Sequence, residues 1–222
     1  MMSLCLDLFL IYVLSHLLHL SQALIKDKRN ANLSVLAASQ TKDKTILTEE
    51  KVGEMLDELR AQFEYIVCDS PAGIESGARH AMYFSDEAII CTNPELSSCR
   101  DSDKMIGFIA SNSLRAKKGM DPVKQTLLVT RYDPSRAHRE ESLSLEDIHE
   151  LLGLPLVGVI PESRAVLTST NLGQPVINVE GDKAGEAYKD VVKRFLGQEI
   201  PLRYVTYEQP GFFARMFGGG GS

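Results

Sequence analysis

Between residues 64 and 78 the chain reads EYIVCDSPAGIESGA. An apolar, β-rich run, Tyr65-Ile66-Val67-Cys68, is cut off by Asp69 and followed at once by Ser-Pro-Ala-Gly. Runs of this kind, bounded by turn residues and lacking polar alternation, suit strands buried on both faces of a parallel sheet. An acidic residue at the carboxyl end of such a strand lies where open α/β sheets hold their ligands. The stretch therefore points to an α/β architecture and raises the question of what Asp69 serves. An aspartate there also bonds the backbone N–H groups of a turn begun by Ser70-Pro71, and composition alone leaves both roles open.

The rest of the chain follows the same pattern. Leu33–Ala37 reads as a short strand, and Thr48-Glu-Glu-Lys opens a helix carrying Val52, Met55, Leu56 and Leu59 at helical spacing. After the strand over Tyr65–Cys68 come a turn over Ser70–Gly73, a helix over Gly77–Phe84 and a strand over residues 87–93. A helix from Ser97 to Ser111, a strand over Thr126–Thr130 and a helix from Ser144 to about Gly153 follow. A strand over Leu156–Ile160 and a long helix over Gly185–Leu196 complete the set. About five strands interleaved with helices, without repeats or an internal linker, predict a doubly wound, mainly parallel α/β domain over residues 20–200.

Composition removes several classes. With 222 residues the chain is long enough to bury a real core, and a net charge of −6 argues against a broad footprint for nucleic acid. Its four cysteines form no C-x-x-C, and Cys68 and Cys91 sit in apolar runs, as small core hydrophobes in a reducing compartment do. No H-E-x-x-H or Cys/His cluster marks a zinc site. Residues 1–19 are the anomaly. LCLDLFLIYVLSHLLHL is apolar but broken by Asp7, Ser15, His16 and His19, and it is marginal for a span of about 20 residues. No positive region precedes it, as a signal peptide would require. It reads as a buried helix, a membrane or signal segment, or sequence foreign to the fold.

Six fragments then carry a resemblance: QALIKDKRNANL, AASQTKDK, FEYIVCDSPAGIESGA, MYFSDEAIICTNPELSSCRDSDKMIG, LLVTRYDP and LVGVIPES. In this order they resemble the septum-site-determining MinD branch of the deviant-Walker P-loop ATPases, over about nine-tenths of the chain from Leu20. The resemblance implies a dimeric, ATP-dependent regulator of cell-division placement, peripheral on the inner face of the cell membrane or in a plastid. It implies Asp69 as the acidic residue near Mg2+ and the hydrolytic water, flanked by Cys68 and Ser70. Arg131, Pro161 and Glu162 fall in the loops that surround the adenine. Glu95, Arg100, Asp101, Asp103 and Lys104 fall on the helix that meets the division inhibitor and the topological-specificity factor. The DNA-binding relatives of this branch use basic surfaces, which the acidic balance here does not favour.

Residues 201–222 form a tail. Phe212, Phe213, Met216 and Phe217 recur at spacing that a helix would gather on one side. The segment is too short to be helical alone in water but suited to folding at a bilayer interface; the alternative is a tail without fixed structure. It resembles the membrane-targeting helix of the family, with one departure. Gln209-Pro210 stands where lysines are usual, leaving Arg215 as the sole cation of the helix. Each basic residue near an anionic surface is worth about 1 kcal/mol, so a monomer is expected to bind membrane weakly and a dimer by avidity.

One part of the family's equipment has no counterpart. The first glycine is Gly53, and no G-K-[ST] occurs, so no glycine-rich loop cradles phosphates with backbone N–H groups. The expectation is an N-terminally shortened member of the family, unable to bind or hydrolyse ATP. The alternative is a non-enzymatic binder of membrane and partners.

Overall fold

The structure, a computed structural model, describes residues 3–7, 20–37, 48–70 and 76–207. The chain divides into two compact units, Met1–Asp86 with Gly107–Val123, and Glu87–Ile106 with Lys124–Ser222.

The first unit holds a three-stranded sheet of β1 (Ser3–Asp7), β2 (Ile25–Lys26) and β3 (Leu33–Ala37), in the order β1-β3-β2. β1 runs parallel to β3 and β2 antiparallel to it. Helices α1 (Leu20–Ala23), α2 (Glu49–Arg60) and α3 (Ser76–Phe84) accompany it. The Thr48 hydroxyl accepts from Lys51 N at 3.4 Å, which satisfies one orphan amide at the start of α2. Val52, Met55, Leu56 and Leu59 then face one way and bury themselves with Leu20, Ala23, Leu36 and Phe63. Each such side chain contributes about 1.5–3 kcal/mol.

Two expectations change in this unit. The apolar segment 1–19 is not helical at its start: Ser3–Asp7 is extended and pairs residue for residue with Leu33–Ala37. A strand edge such as that of β3 presents unpaired N–H and C=O groups, which an extended stretch satisfies and a helix does not. Residues 8–19 lie outside the described residues. The run Tyr65–Cys68 is not a strand either, and Val67 alone makes an isolated bridge. Ile66 packs against the core while Val67 is 53% exposed, so the run alternates instead of burying both faces. Without strands paired on both sides, apolar β-branched residues have no ladder to join. The turn expected over Ser70–Gly73 lies outside the described residues from Pro71 onward.

The second unit is built on β4 (Glu87–Thr92), β5 (Lys124–Tyr132) and β6 (Leu156–Pro161), all parallel, in the order β4-β5-β6. Helix α4 (Leu96–Asn112) follows β4; its residues from Gly107 on, and α5 (Leu114–Lys117) after it, belong to the first unit. Helices α6 (Pro134–His138), α7 (Leu145–Leu152), α8 (Arg164–Asn171) and α9 (Lys183–Phe195) complete the order. The middle of β5, Leu127-Leu128-Val129, is buried throughout, as a central strand covered on both faces requires. Leu128, Val157 and Ile160 pack with Ala184, Ala187 and Val191 of α9. Each start is chemically specified. Asp133 caps α6 with Pro134 in its first turn, Ser144 and Asp147 form a reciprocal capping box on α7, and Asp182 caps α9. The strands and helices expected in this unit are present to within a few residues. Helices α6 and α8 were not among them.

The chain reverses at Gly197, whose φ of 85° is the left-handed conformation a helix end commonly uses. It then doubles back along α9. Arg194 donates to the carbonyls of Ile200 (2.7 Å), Pro201 (2.6 Å) and Val157 (3.2 Å). Arg203 donates to the buried Asp190 carboxylate at 2.7 Å and to the Glu186 carbonyl at 3.2 Å. Tyr204 packs against the core, and Tyr207 stacks on His138 with ring centroids 4.6 Å apart and planes 14° apart.

Candidate functional site

Three of the residues expected around a nucleotide come together at the carboxyl edge of β5 and β6. The β5–β6 register breaks between Val129 and Tyr132, and Arg131 takes a left-handed φ of 57° in that irregularity. Such a backbone is costly for a non-glycine residue and concentrates at functional sites. The kink leaves Tyr132 buried and paired with Pro161, its carbonyl accepting from Glu162 N at 3.1 Å. The Arg131 guanidinium lies 3.5 Å from the Glu162 carboxylate, with the two side chains 65% and 48% exposed. A pair this open to water adds at most about 1 kcal/mol, so both groups stay available to a ligand.

The neighbouring strand end supplies a polar cluster that sequence reasoning missed. Thr130 donates to Asn93 Oδ1 at 2.8 Å, and Asn93 N donates to the Ser98 hydroxyl at 3.1 Å. This ties the end of β4 to that of β5. The one available signal was the position of Asn93 immediately after an apolar strand. Asp133 lies just beyond. Its carboxyl is held below the ordinary aspartate range, first by the Ser135 hydroxyl at 2.7 Å and further by backbone N–H donors.

Cys68, Asp69 and Ser70 belong to the first unit, where Cys68 and Ser70 are half-buried and Asp69 is exposed. Among the described residues no group of three His, Cys, Asp or Glu side chains gathers as metal ligands do. The fit to a magnesium nucleotide is therefore partial. Arg131, Pro161 and Glu162 make an edge suited to a base, whereas no G-K-[ST] and no glycine before Gly53 is present to wrap phosphates. The residues present do not fit a triphosphate.

The expected partner helix is α4. Cys99, Ser102 and Ile109 are its buried side, whereas Glu95 just ahead of it and Arg100, Asp101, Asp103 and Lys104 on it are exposed. Lys104 pairs with Asp101 at 2.9 Å, one turn away and open to solvent. At the start of the helix a groove of about 460 Å3 opens beside Pro94, Leu96, Ala137 and Leu143. Its rim carries Glu95, Glu140, Glu141 and Asp147. Leu143 N donates to the Pro94 carbonyl at 3.0 Å, which joins the two walls. Sequence reasoning did not identify the wall after α6. The tail residues Phe212, Phe213, Arg215, Met216 and Phe217 lie outside the described residues. Among those described, no helix is long and apolar enough to cross a membrane.

No protein-family model matches the chain. A septum site-determining protein MinD from Escherichia coli strain K12 is 57% identical over 201 residues, covering 90% of this chain and 74% of that protein. A MinC:MinD cell division protein complex from Aquifex aeolicus superposes with a TM-score of 0.77 at 30% identity, over 92% of this chain and 87% of that one. The Pyrococcus horikoshii septum site-determining protein MinD complexed with Mg-ADP superposes with a TM-score of 0.68 at 24% identity, over 89% and 86%. At that identity it speaks for the α/β fold alone.

Proposed function

The chain belongs to the MinD family of septum site-determining proteins, and from that premise we propose that it acts in division-site selection by recruiting a division inhibitor to the membrane. The observation that carries this reading is the exposed charged face of α4 on a chain whose relatives include a MinC:MinD complex. Mixed charges of this kind favour a specific, salt-sensitive contact over broad adhesion. The domain is taken as residues 20–200, and the tail from 201 supplies an amphipathic helix for an anionic membrane surface. Two copies of the chain together hold the membrane more firmly than one.

ATP is the family's expected ligand, with Mg2+, but these 222 residues lack the phosphate loop. Phosphoryl transfer depends on positioning and charge stabilisation around the phosphates, so this chain is proposed to bind partners without hydrolysing ATP. Arg131, Pro161 and Glu162 retain the base-side edge, and Asp69, between Cys68 and Ser70, retains the acidic position. A full ATPase cycle is the competing reading. Isothermal titration decides: heat too small to fit is expected on adding Mg-ATP, and micromolar affinity would overturn the claim. For the partner face, charge reversal at Asp101 and Asp103 is expected to abolish pull-down of the division inhibitor. Undiminished capture would remove α4 from the interface.

A further inference from the structure

The groove at the start of α4 has an occupant within reach in its own chain. Its volume of about 460 Å3 falls among cavities that bury ligand-sized groups, roughly 300–1,000 Å3. Leu96, at 45% exposure, stands open to it on one wall and Leu143 lines the other. The rim is acidic. Arg139 engages Glu141 through two bonds of 2.7 and 2.9 Å and Arg136 also acts on it, which leaves Glu95, Glu140 and Asp147 in the lining. Ser142, also in the lining, keeps a buried hydroxyl with no hydrogen-bond partner among the described residues. A buried hydroxyl left alone in this way calls for an explanation.

The described chain ends beside this groove. Tyr207 stacks on His138, and the adjacent Ala137 is part of the lining. Four residues separate Tyr207 from Phe212, and the five steps between them extend about 17 Å. Beyond that point come four large apolar side chains and Arg215, matched to an apolar floor with an acidic rim. We propose that, away from a membrane, the tail of the same chain docks in this groove through Phe212, Phe213, Met216 and Phe217. Arg215 then meets the acidic rim, and the start of α4 is covered. The proposal rests on the reading of the tail as the membrane anchor and of α4 as the partner face. Tethering at short range gives the tail an effective concentration of order mM, so a weak site suffices to hold it. Membrane and groove then compete for the same aromatic residues, and the partner face opens when the tail inserts in lipid.

The sequence contains no tryptophan, so Phe213→Trp in the full chain reports on the tail alone. In buffer without vesicles, blue-shifted emission with poor acrylamide quenching is expected. Glu140→Lys or, in the tail itself and so harmless to the fold, Arg215→Glu is expected to return the emission to that of a solvated indole. Combining the two is expected to restore the shift. A solvated signal in the parent Phe213→Trp chain overturns docking. A blue shift that disappears on dilution also overturns it, because a second copy is then the occupant. Vesicles of phosphatidylglycerol and phosphatidylcholine separate this from the underlying reading. If the tail is docked nine-tenths of the time, Glu140→Lys raises apparent vesicle affinity roughly tenfold. Vesicle binding of equal strength with and without Glu140→Lys overturns the competition. Absence of any vesicle binding by either protein overturns the membrane reading and with it the competition, while the emission in buffer still decides docking.

Discussion

The two units meet the same problem, an apolar β-rich run that ends in polar residues, and solve it differently. In the second unit TLLVTRY becomes the centre of a ladder: β5 is paired on both sides, its core residues Leu127, Leu128 and Val129 are buried, and its end is bent to present Arg131. In the first, EYIVCD has the same look but no ladder, and Val67 shows more than half its surface to solvent. The composition of a strand is thus a statement about its neighbours. Side chains that stabilise a sheet do so through cross-strand and face-to-face packing, and without those neighbours the run makes an isolated bridge at Val67 in place of a ladder.

The largest test of that contrast is Leu127→Ala. Truncating a fully buried leucine at the centre of a paired strand costs about 2–5 kcal/mol, read as faster hydrogen exchange across β5 and a lower urea midpoint. A loss below 1 kcal/mol would mean that β5 is no better anchored than residues 65–68. Next is Gly185→Ala on α9, where an added Cβ would come within 2.7 Å of the Val176 carbonyl oxygen. Because the obstruction is backbone, the expected cost is about 1–3 kcal/mol in the same denaturation experiment.

Smaller effects separate the units more finely. Ser144→Ala removes the capping box of α7 and is expected to cost about 1 kcal/mol, seen as local exchange over Leu145–Leu152. Asp133 gives a pH test. Its folded carboxyl titrates below the ordinary value of about 4, so its stabilisation is present above that value and lost as pH falls through the lowered folded one. Asp133→Asn should flatten that part of the acid limb, and an unchanged limb would assign the slope elsewhere. The smallest effect belongs to the first unit. Val67→Ala is expected to change stability by no more than about 0.5 kcal/mol, and a cost near that of Leu127→Ala would break the comparison altogether.

Much of the second unit was legible because its signals are local. Ser144 three residues before Asp147 and Gly153 after Leu152 each announce a helix boundary by backbone chemistry that needs no distant partner. Arg131, Pro161 and Glu162 were reached through the resemblance, and they meet because parallel neighbours end together. What escaped reading depended on long-range pairing. Ser3–Asp7 is a strand because β3 offers it an edge, and nothing in SLCLD distinguishes that outcome from the start of an apolar helix. The bond between Thr130 and Asn93 spans 37 positions, and the Pro94 carbonyl meets Leu143 N across a still longer interval. No periodicity carries such information.

The return of the chain along α9 has a practical side for anyone trimming this protein. Protease or design could shorten the C-terminus after Tyr207 without touching a described bond of α9. A cut just past Gly197 would strip Arg194 of two carbonyl acceptors and leave Asp190, 4% exposed, without its guanidinium. Asp190 would be left to Lys193, 3.9 Å away, and a buried carboxylate that loses its closest cation is destabilising. The final turn of α9 therefore depends on residues that look, in one dimension, like the beginning of a dispensable tail.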